Sequence, residues 1–373
     1  MAGVNEYKCP ACGAPISFSP GTHQMYCEFC GTKIDLDELI GKNQNEEKTS
    51  DSNETKKASS AKKADENDRW AAFNDFKSER EKLGEQNLYV CESCGAEIMA
   101  DLTTAATKCP YCDNNVILTD KVSGGLKPDA IIPFAIGKDE LKNIVKKFHK
   151  GKPLLPRGFL SAHKIEEIQG VYVPFWLYDG EMEGDCNLSG DLIKVRRKGD
   201  YEITETSHFM LERGGIMDFK NIPVDASKKM DNDLMDSIEP FNMNELTEFK
   251  DAYLSGFLAD IYDETPGELK KRAADRVEKS TVDALMGTAV GYSNVRMLNN
   301  YMNLKRADMK YVLFPVYLIN DTYLGKKYTY AVNGQTGKIV GELPSSKSKL
   351  FAWGGGSFAI TALILAIITL LCS

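Results

Sequence analysis

Cys9-Pro-Ala-Cys12 and Cys27-Glu-Phe-Cys30, with fourteen residues between them, return further along the chain as Cys91-Glu-Ser-Cys94 and Cys109-Pro-Tyr-Cys112, again fourteen apart. Eight of the ten cysteines are placed by this repeat. Two Cys-x2-Cys knuckles on facing hairpins supply the four thiolates of a tetrahedral Zn2+, so each copy reads as a closed, structural zinc ribbon with no open coordination position for chemistry. The predicted ligands are Cys9, Cys12, Cys27 and Cys30 in the first ribbon, and Cys91, Cys94, Cys109 and Cys112 in the second. Disulfides rank below zinc because Met1 to Lys8 holds no apolar signal core. A thioredoxin-like redox site ranks lower still, since it needs one Cys-x2-Cys opening a helix. Gly13, Gly31 and Gly95 follow three of the four knuckles, where a left-handed backbone turns amide hydrogens toward the sulfurs. Asp113 follows the fourth.

Working outward, the far end of the chain is apolar. Leu350 to Cys372 holds no charge across 23 residues; at about 1.5 Å per residue such a helix reaches roughly 35 Å, enough for a hydrocarbon core of about 30 Å. Residues 350–372 are therefore expected to form a transmembrane helix that contacts membrane lipid. Lys347 and Lys349 on its N-terminal flank place the bulk of the chain in the cytoplasm, single-pass and tail-anchored. Gly355 with Ala359, and Ala362 with Ala366, are small-residue pairs that would support helix association and hence a homo-oligomer.

Between these ends the chain divides into a ribbon at 1–40, a polar linker at 41–69 almost free of apolar residues, an amphipathic helix plus second ribbon at 70–120, and a mixed αβ body at 121–345. The linker implies a first ribbon tethered as a separate module, with a reach on the order of 30 Å. Trp70, Phe73 and Phe76 recur at three-residue steps, an aromatic helix face expected to dock on its own domain. Within the body, Asp129 to Phe134 reads as a short strand and Asp139 to Lys150 as a helix. Val171 to Asp179 and Tyr311 to Asn320 read as two variants of one strand, each with an internal proline. Glu181 to Met230 reads as turns and short strands, Asn242 to Met286 as helical, and Tyr328 to Val340 as a hairpin. The fold class is thus α+β: two four-cysteine ribbons with rubredoxin-like knuckles, a body with small antiparallel sheets, and a C-terminal membrane helix.

The stretches Cys91-Glu-Ser-Cys94-Gly-Ala, Thr103 to Cys112, Pro128-Asp-Ala-Ile-Ile-Pro133-Phe134, Gly170 to Asp179, Tyr253 to Asp263 and Asn333-Gly-Gln-Thr-Gly-Lys together resemble a bacterial family of zinc-ribbon membrane proteins. That family is described as "TFIIB-type zinc ribbon-containing" and, by a looser analogy, primosomal-helicase-like. The resemblance covers most of residues 88 to 341 and implies a membrane docking platform rather than an enzyme. It implies partners of the phage-shock PspA type and of the band-7 (SPFH) type, in envelope-stress functions. Asp113 departs from the glycine usual in that family.

No G-x-S-x-G elbow or H-E-x-x-H helix occurs, and Gly334 to Ile339 is too short for a P-loop. His23, His149, His163 and His208 are scattered, with none at ligand spacing; no catalytic residue is proposed and no enzyme is expected. His23 lies inside the first ribbon's loop, where four thiolates already close the site. Cys186 reads as a buried small hydrophobe and Cys372 as a membrane-end residue. Residues 1–40 carry Lys8 and Lys33 against Glu6, Glu28, Asp35, Asp37 and Glu38, a net of −3; residues 88–120 carry Lys108 against Glu92, Glu97, Asp101, Asp113 and Asp120, a net of −4. Acidic ribbons lack the counterion release that drives binding to phosphate backbones, so a nucleic-acid role is the second reading. The first is a membrane-anchored cytoplasmic adaptor that docks protein partners, with strand edges near Pro133, Pro174 or Pro315 as the docking mode.

Overall fold

The computed structural model describes residues 4–44, 88–112, 114–123, 126–156 and 168–372. Most of the linker, the Trp70–Phe76 aromatic segment, Asp113 and His163 lie outside them. The first ribbon comprises β1 (Val4–Asn5), β2 (Ser17–Ser19), β3 (Gln24–Tyr26), β4 (Lys33–Asp35) and α1 (Leu36–Gln44). The second comprises β5 (Leu88–Val90), β6 (Glu97–Met99), β7 (Thr104–Lys108) and β8 (Asn115–Leu118). The body follows as β9 (Ala130–Ile131), α2 (Lys138–His149), β10 (Gly170–Lys198), β11 (Tyr201–Asp225), α3 (Asn232–Ser237), β12 (Thr247–Glu248), β13 (Leu258–Asp260), α4 (Pro266–Gly287), β14 (Ser293–Tyr323), β15 (Lys326–Asn333) and β16 (Ile339–Gly341). Helix α5 (Lys347–Cys372) ends the described chain.

One sheet of eleven strands joins nearly everything, in the order β1-β8-β7-β13-β10-β14-β15-β16, with β11 beside β10 and β9 linking β14 to β12. The two proline-bearing strands expected to be variants of each other are antiparallel partners at its centre, Val173 opposite Phe314. Around them the body is built twice. The run β9-α2-β10-β11 matches β13-α4-β14-β15, and the first strand of each half pairs in parallel with the long strand of the other, β9 on β14 and β13 on β10. The match extends to single hydrogen bonds. Ala226 N donates to Pro174 O at 2.9 Å and Gly334 N to Pro315 O at 2.8 Å. Asp263 N and Glu264 N converge on Ala226 O, as Ala135 N and Ile136 N converge on Gly334 O. Trp176 Nε1 donates to Glu264 O at 3.0 Å, and Tyr317 Oη to Ile136 O at 2.7 Å.

This repetition explains the prolines and corrects the expectation that they mark open edges. Pro174 and Pro315 are buried mid-sheet. On the side away from their mutual pairing, β10 passes from β13 at Val171–Tyr172 to β11 at Phe175. Strand β14 passes likewise from β9 at Val312–Leu313 to β15 at Val316. An amide at either proline would point at Ala226 O or Gly334 O, each already holding two donors. Proline, which has no donor to place, fits both positions.

Two further expectations change. Glu181 to Met230 is not turns and short strands but most of a hairpin whose strands run 29 and 25 residues. Its apolar face is made of Gly180, Met182, Gly184, Cys186, Leu188 and Gly190, and α4 packs on it. A Cβ at Gly184 would fall 3.0 Å from Thr281 and 3.3 Å from Leu285, so glycine there sets the approach of the helix. Asn242 to Met286 is helical only in α4, whose start carries a full capping box between Thr265 and Glu268; the earlier part is 3-10 turns and the short strands β12 and β13. Helix α2 and the β15–β16 hairpin fall where the sequence puts them.

The first ribbon is not a separate tethered module. Strand β1 pairs with β8 of the second ribbon, Val4 opposite Leu118. Phe18 N donates to Ser255 O at 3.0 Å, Gly21 N to Phe134 O at 2.9 Å, and Ser255 Oγ to Ile16 O at 2.6 Å. Ile16, Phe18 and Met25 belong to the same buried cluster as Phe134, Tyr172 and Tyr253. Each of these large side chains stabilises by about 1.5–3 kcal/mol on burial, which holds the first ribbon on the body.

Candidate metal centres

The structure brings each predicted cysteine quartet together. In the first ribbon Cys9 and Cys30 Sγ lie 3.6 Å apart, as do Cys12 and Cys27; in the second, Cys91 and Cys112 lie 3.7 Å apart and Cys94 and Cys109 3.8 Å. Within each quartet all ligand atoms fall within 4.8 Å of one another. Metal–sulfur bonds of about 2.3 Å in a tetrahedron give S–S edges of about 3.8 Å, so both cages have the dimensions of a four-thiolate site. They could hold a metal ion such as zinc.

The knuckles form for a local reason. Gly13, Gly31 and Gly95 take φ of 73°, 74° and 73°, and their amides close tight turns onto Cys9 O, Cys27 O and Cys91 O. The turns aim amides at sulfur: Ala11 and Cys12 at Cys9, Ser93 and Cys94 at Cys91, Tyr111 and Cys112 at Cys109. The Thr32 hydroxyl and amide hold the Cys30 thiol down to about 6. Against burial, the two amides bring Cys109 down to about 7. Such donors favour the thiolate that a metal requires. Against the Ala14 amide, however, the neighbouring Cys30 thiol pushes Cys12 up to about 12, and burial raises Cys91 and, against the Asn114 amide, Cys112. In both ribbons the first cysteine of each knuckle is buried and the second exposed, so each centre sits at a surface with two sulfurs outward.

Glu6, which the sequence did not single out, belongs to the second centre although it lies in the first ribbon. Its carboxylate meets Cys91 Sγ at 3.3 Å, accepts from Ser93 N at 3.3 Å and from Asn114 Nδ2 at 2.9 Å, and also bonds the Ser93 hydroxyl. Nothing in the spacing announces a contact spanning 85 residues; only the β1–β8 pairing delivers it.

The remaining candidates fall into ordinary roles. His23 contacts Asp37 through Nε2 and the Tyr253 hydroxyl through Nδ1, both at 3.3 Å, and Lys250 engages Asp37. His23, Asp35 and Asp37 therefore converge as part of the ribbon's seat on the body, separate from the thiolates. His208 Nδ1 lies 2.7 Å from Asp191 on the long hairpin. Cys186 is buried among Leu188, Leu211 and Leu285, where burial pushes its thiol up.

At 34% identity over 368 residues, the chain aligns with the uncharacterized protein YdjG of Bacillus subtilis (strain 168), covering 99% of this chain and 98% of that protein. The chain belongs to the YdjG family. No protein-family model matches it, and no solved structure does.

In this YdjG-family chain, α5 leaves the body directly after β16. Ser346 N donates to Leu154 O at 2.8 Å and Lys349 Nζ to Leu155 O at 2.6 Å, fixing its first turn. Beyond that Phe351, Trp353, Phe358, Ile360 and Leu363 are exposed. Lys347–Leu365 has a mean hydropathy of 1.3 and no buried share, so by length and composition the helix can cross a membrane.

Proposed function

We propose that this YdjG-family protein is a membrane-anchored cytoplasmic adaptor: two structural Zn2+ ions hold the ribbons, the doubled body presents binding surface, and α5 fixes the assembly in the bilayer. The observation that carries this reading is α5, a 26-residue apolar helix whose residues Phe351, Trp353, Phe358, Ile360, Leu363 and Ile368 are exposed and whose first turn is tied to the body. An exposed apolar helix of that length costs too much in water to be left uncovered, and a hydrocarbon core covers all its faces at once. Lys347 and Lys349 at its start favour a cytoplasmic body. Both thiolate cages are closed by four protein ligands, which suits scaffolding rather than hydrolysis. The ligands of the platform are protein partners, of the PspA and band-7 type that the resemblance implies, in envelope-stress functions.

The test is affinity purification from detergent-solubilised membranes, with and without residues 350–373. The full chain is expected in the membrane fraction with protein partners and about two zinc ions per chain. Recovery of the same partners by a soluble truncated chain, or salt-sensitive nucleic-acid binding at submicromolar concentration, would replace this reading.

A further inference from the structure

The long hairpin and β14 form a three-stranded blade that projects from the doubled core, β10 in the middle, β11 on one side and β14 on the other. From Tyr178 to Lys198, β10 alone extends on the order of 60 Å. Helix α4 covers the inner part of one face, around Gly184 and Leu188, and leaves the outer part, with Arg196 and Ile203, exposed. Among the described residues, neither outer edge has a strand beside it: β11 pairs only with β10, and β14 meets β9 and β15 only from Val312 onward. Residues 201–218 and 293–310 contain no proline. Edges of this length are what folded proteins normally blunt. Strand β14 is interrupted opposite Glu181/Met182, Asn187/Leu188 and Ser189/Asp191, which leaves 299–304 as its regular stretch, while β11 is regular from Tyr201 to Phe219.

We propose that the two edges are made for each other in neighbouring copies of this chain, β11 of one molecule adding to β14 of the next to extend the blade into a continuous sheet. Charge is the first argument. Residues 201–218 carry Glu202, Glu205, Glu212 and Asp218 against Arg213, a net of −3; residues 293–310 carry Arg296, Lys305, Arg306 and Lys310 against Asp308, a net of +3. Register is the second, because β10 gives both edges a common ruler. Opposite Asp185 stand Gly214 on one side and Tyr301 on the other; opposite Glu183, Ile216 and Asn303; opposite Glu181, Asp218 and Arg306. A copy placed alongside at equal height thus brings Tyr301, 57% exposed, beside Gly214, over which the Asp185 carboxylate lies as a hydrogen-bond acceptor for a phenol, and sets Asp218 level with Arg306. Apolar exposure is the third: Met210 and Ile216 are 72% and 65% exposed on one edge and Leu298 56% on the other, all within the same span of β10.

Strands β11 and β14 both run antiparallel to β10, so the new pair is parallel and the copies share one direction. Insertion of every α5 in one bilayer supplies that alignment, and this part rests on the membrane reading. The contact is head-to-tail and leaves a free edge at each end, so it propagates into rows rather than closing as a dimer.

The test uses the full chain in lipid vesicles, carrying Ile216→Cys and Asn303→Cys together and treated with a short thiol-to-thiol bismaleimide. A ladder of dimer, trimer and higher species is expected, absent from the parent chain and from each single variant. Asp218→Lys in the double-cysteine chain should cut the ladder, and Arg306→Glu added to it should restore it. Dimers from Ile216→Cys alone, or no ladder from a chain that floats with the vesicles, would overturn the proposal. Flotation is scored in the same sample. A chain that forms the ladder but does not float sinks the membrane reading alone.

Discussion

The two halves of the body reach one backbone arrangement with different side chains. Trp176 in one does with an indole what Tyr317 in the other does with a phenol. Helix α4 starts from a threonine in a capping box, whereas α2 starts from Gly137 with no side-chain cap. Ala226 corresponds to Gly334, where a Cβ would meet the Phe134 ring at 2.5 Å. What both halves keep is the routing of backbone donors and acceptors, because a buried carbonyl or amide without a partner is expensive whatever side chains surround it. What differs is size: α4 has 22 residues against 12 in α2, and the β10–β11 hairpin outgrows β14–β15 to make the blade. The ribbons follow the halves. Gly21 and Thr103, each the ninth residue of its fourteen-residue loop, meet the backbone at Phe134 and Ile261, the segments leading into α2 and α4.

The largest expected asymmetry comes from removing a metal site. Strands β7 and β8 of the second ribbon are part of the main sheet, through Ala106 opposite Ala259, while β2, β3 and β4 of the first form a small sheet of their own. Binding of structural zinc is worth on the order of 10 kcal/mol, comparable with the whole stability of a domain. Cys109→Ser should therefore unfold the second ribbon and loosen β13, whereas Cys12→Ser should disturb mainly the first ribbon. Hydrogen exchange on Leu258–Asp260 checks this; equal protection of that strand in both variants would contradict the difference between the ribbons.

The prolines probe what the halves share. Pro174→Ala or Pro315→Ala introduces an amide aimed at a carbonyl that already accepts two. Each should cost about 2 kcal/mol, from a poorly met buried donor and a more mobile unfolded chain. Denaturant midpoints of the two variants should fall together. A loss at one site and none at the other would mean that the halves share a shape without sharing its energetics.

The sequence made the cysteine cages legible because thiolate spacing is a local property: eight cysteines and three glycines fix both knuckle pairs without reference to the rest of the chain. It also showed Val171–Asp179 and Tyr311–Asn320 as variants, since both are apolar on two faces around a proline. The blade was not legible. Its buried face is built from Gly180, Gly184 and Gly190 as much as from Met182 and Leu188, so the alternation that marks a strand was weak, and the contacts that make it a strand come from α4. The seat of the first ribbon was hidden for a related reason. A long polar linker reads as separation, but β1 precedes the cysteines and returns to pair with β8, and Glu6 reaches Cys91 from there.

The smallest difference between the halves is one atom wide. Asp225 and Asn333 occupy matching positions, one residue before the amides that bond Pro174 O and Pro315 O, and both are fully buried. Asn333 donates to Ile238 O at 3.1 Å; Asp225 faces Arg272 at 2.5 Å. Burial pushes the Asp225 carboxyl up to about 6, with Asp236 and Glu264 adding to the rise and the Arg272 guanidinium opposing it. An unfolded aspartate titrates near about 3.9. The folded state thus holds a proton that the unfolded state releases between about pH 4 and pH 6, and stability falls as pH rises through that window before levelling. Asp225→Asn gives the first half the residue of the second and removes this contribution, while Arg272 keeps Asp236 as a partner at 2.5 Å. Relative to the parent chain, the variant should gain about 2 kcal/mol in passing from pH 4 to pH 7. The cysteine quartets are the same in both proteins, so the difference between their denaturant midpoints isolates Asp225. Parallel pH profiles would mean that the guanidinium outweighs burial, and that the carboxylate is charged throughout.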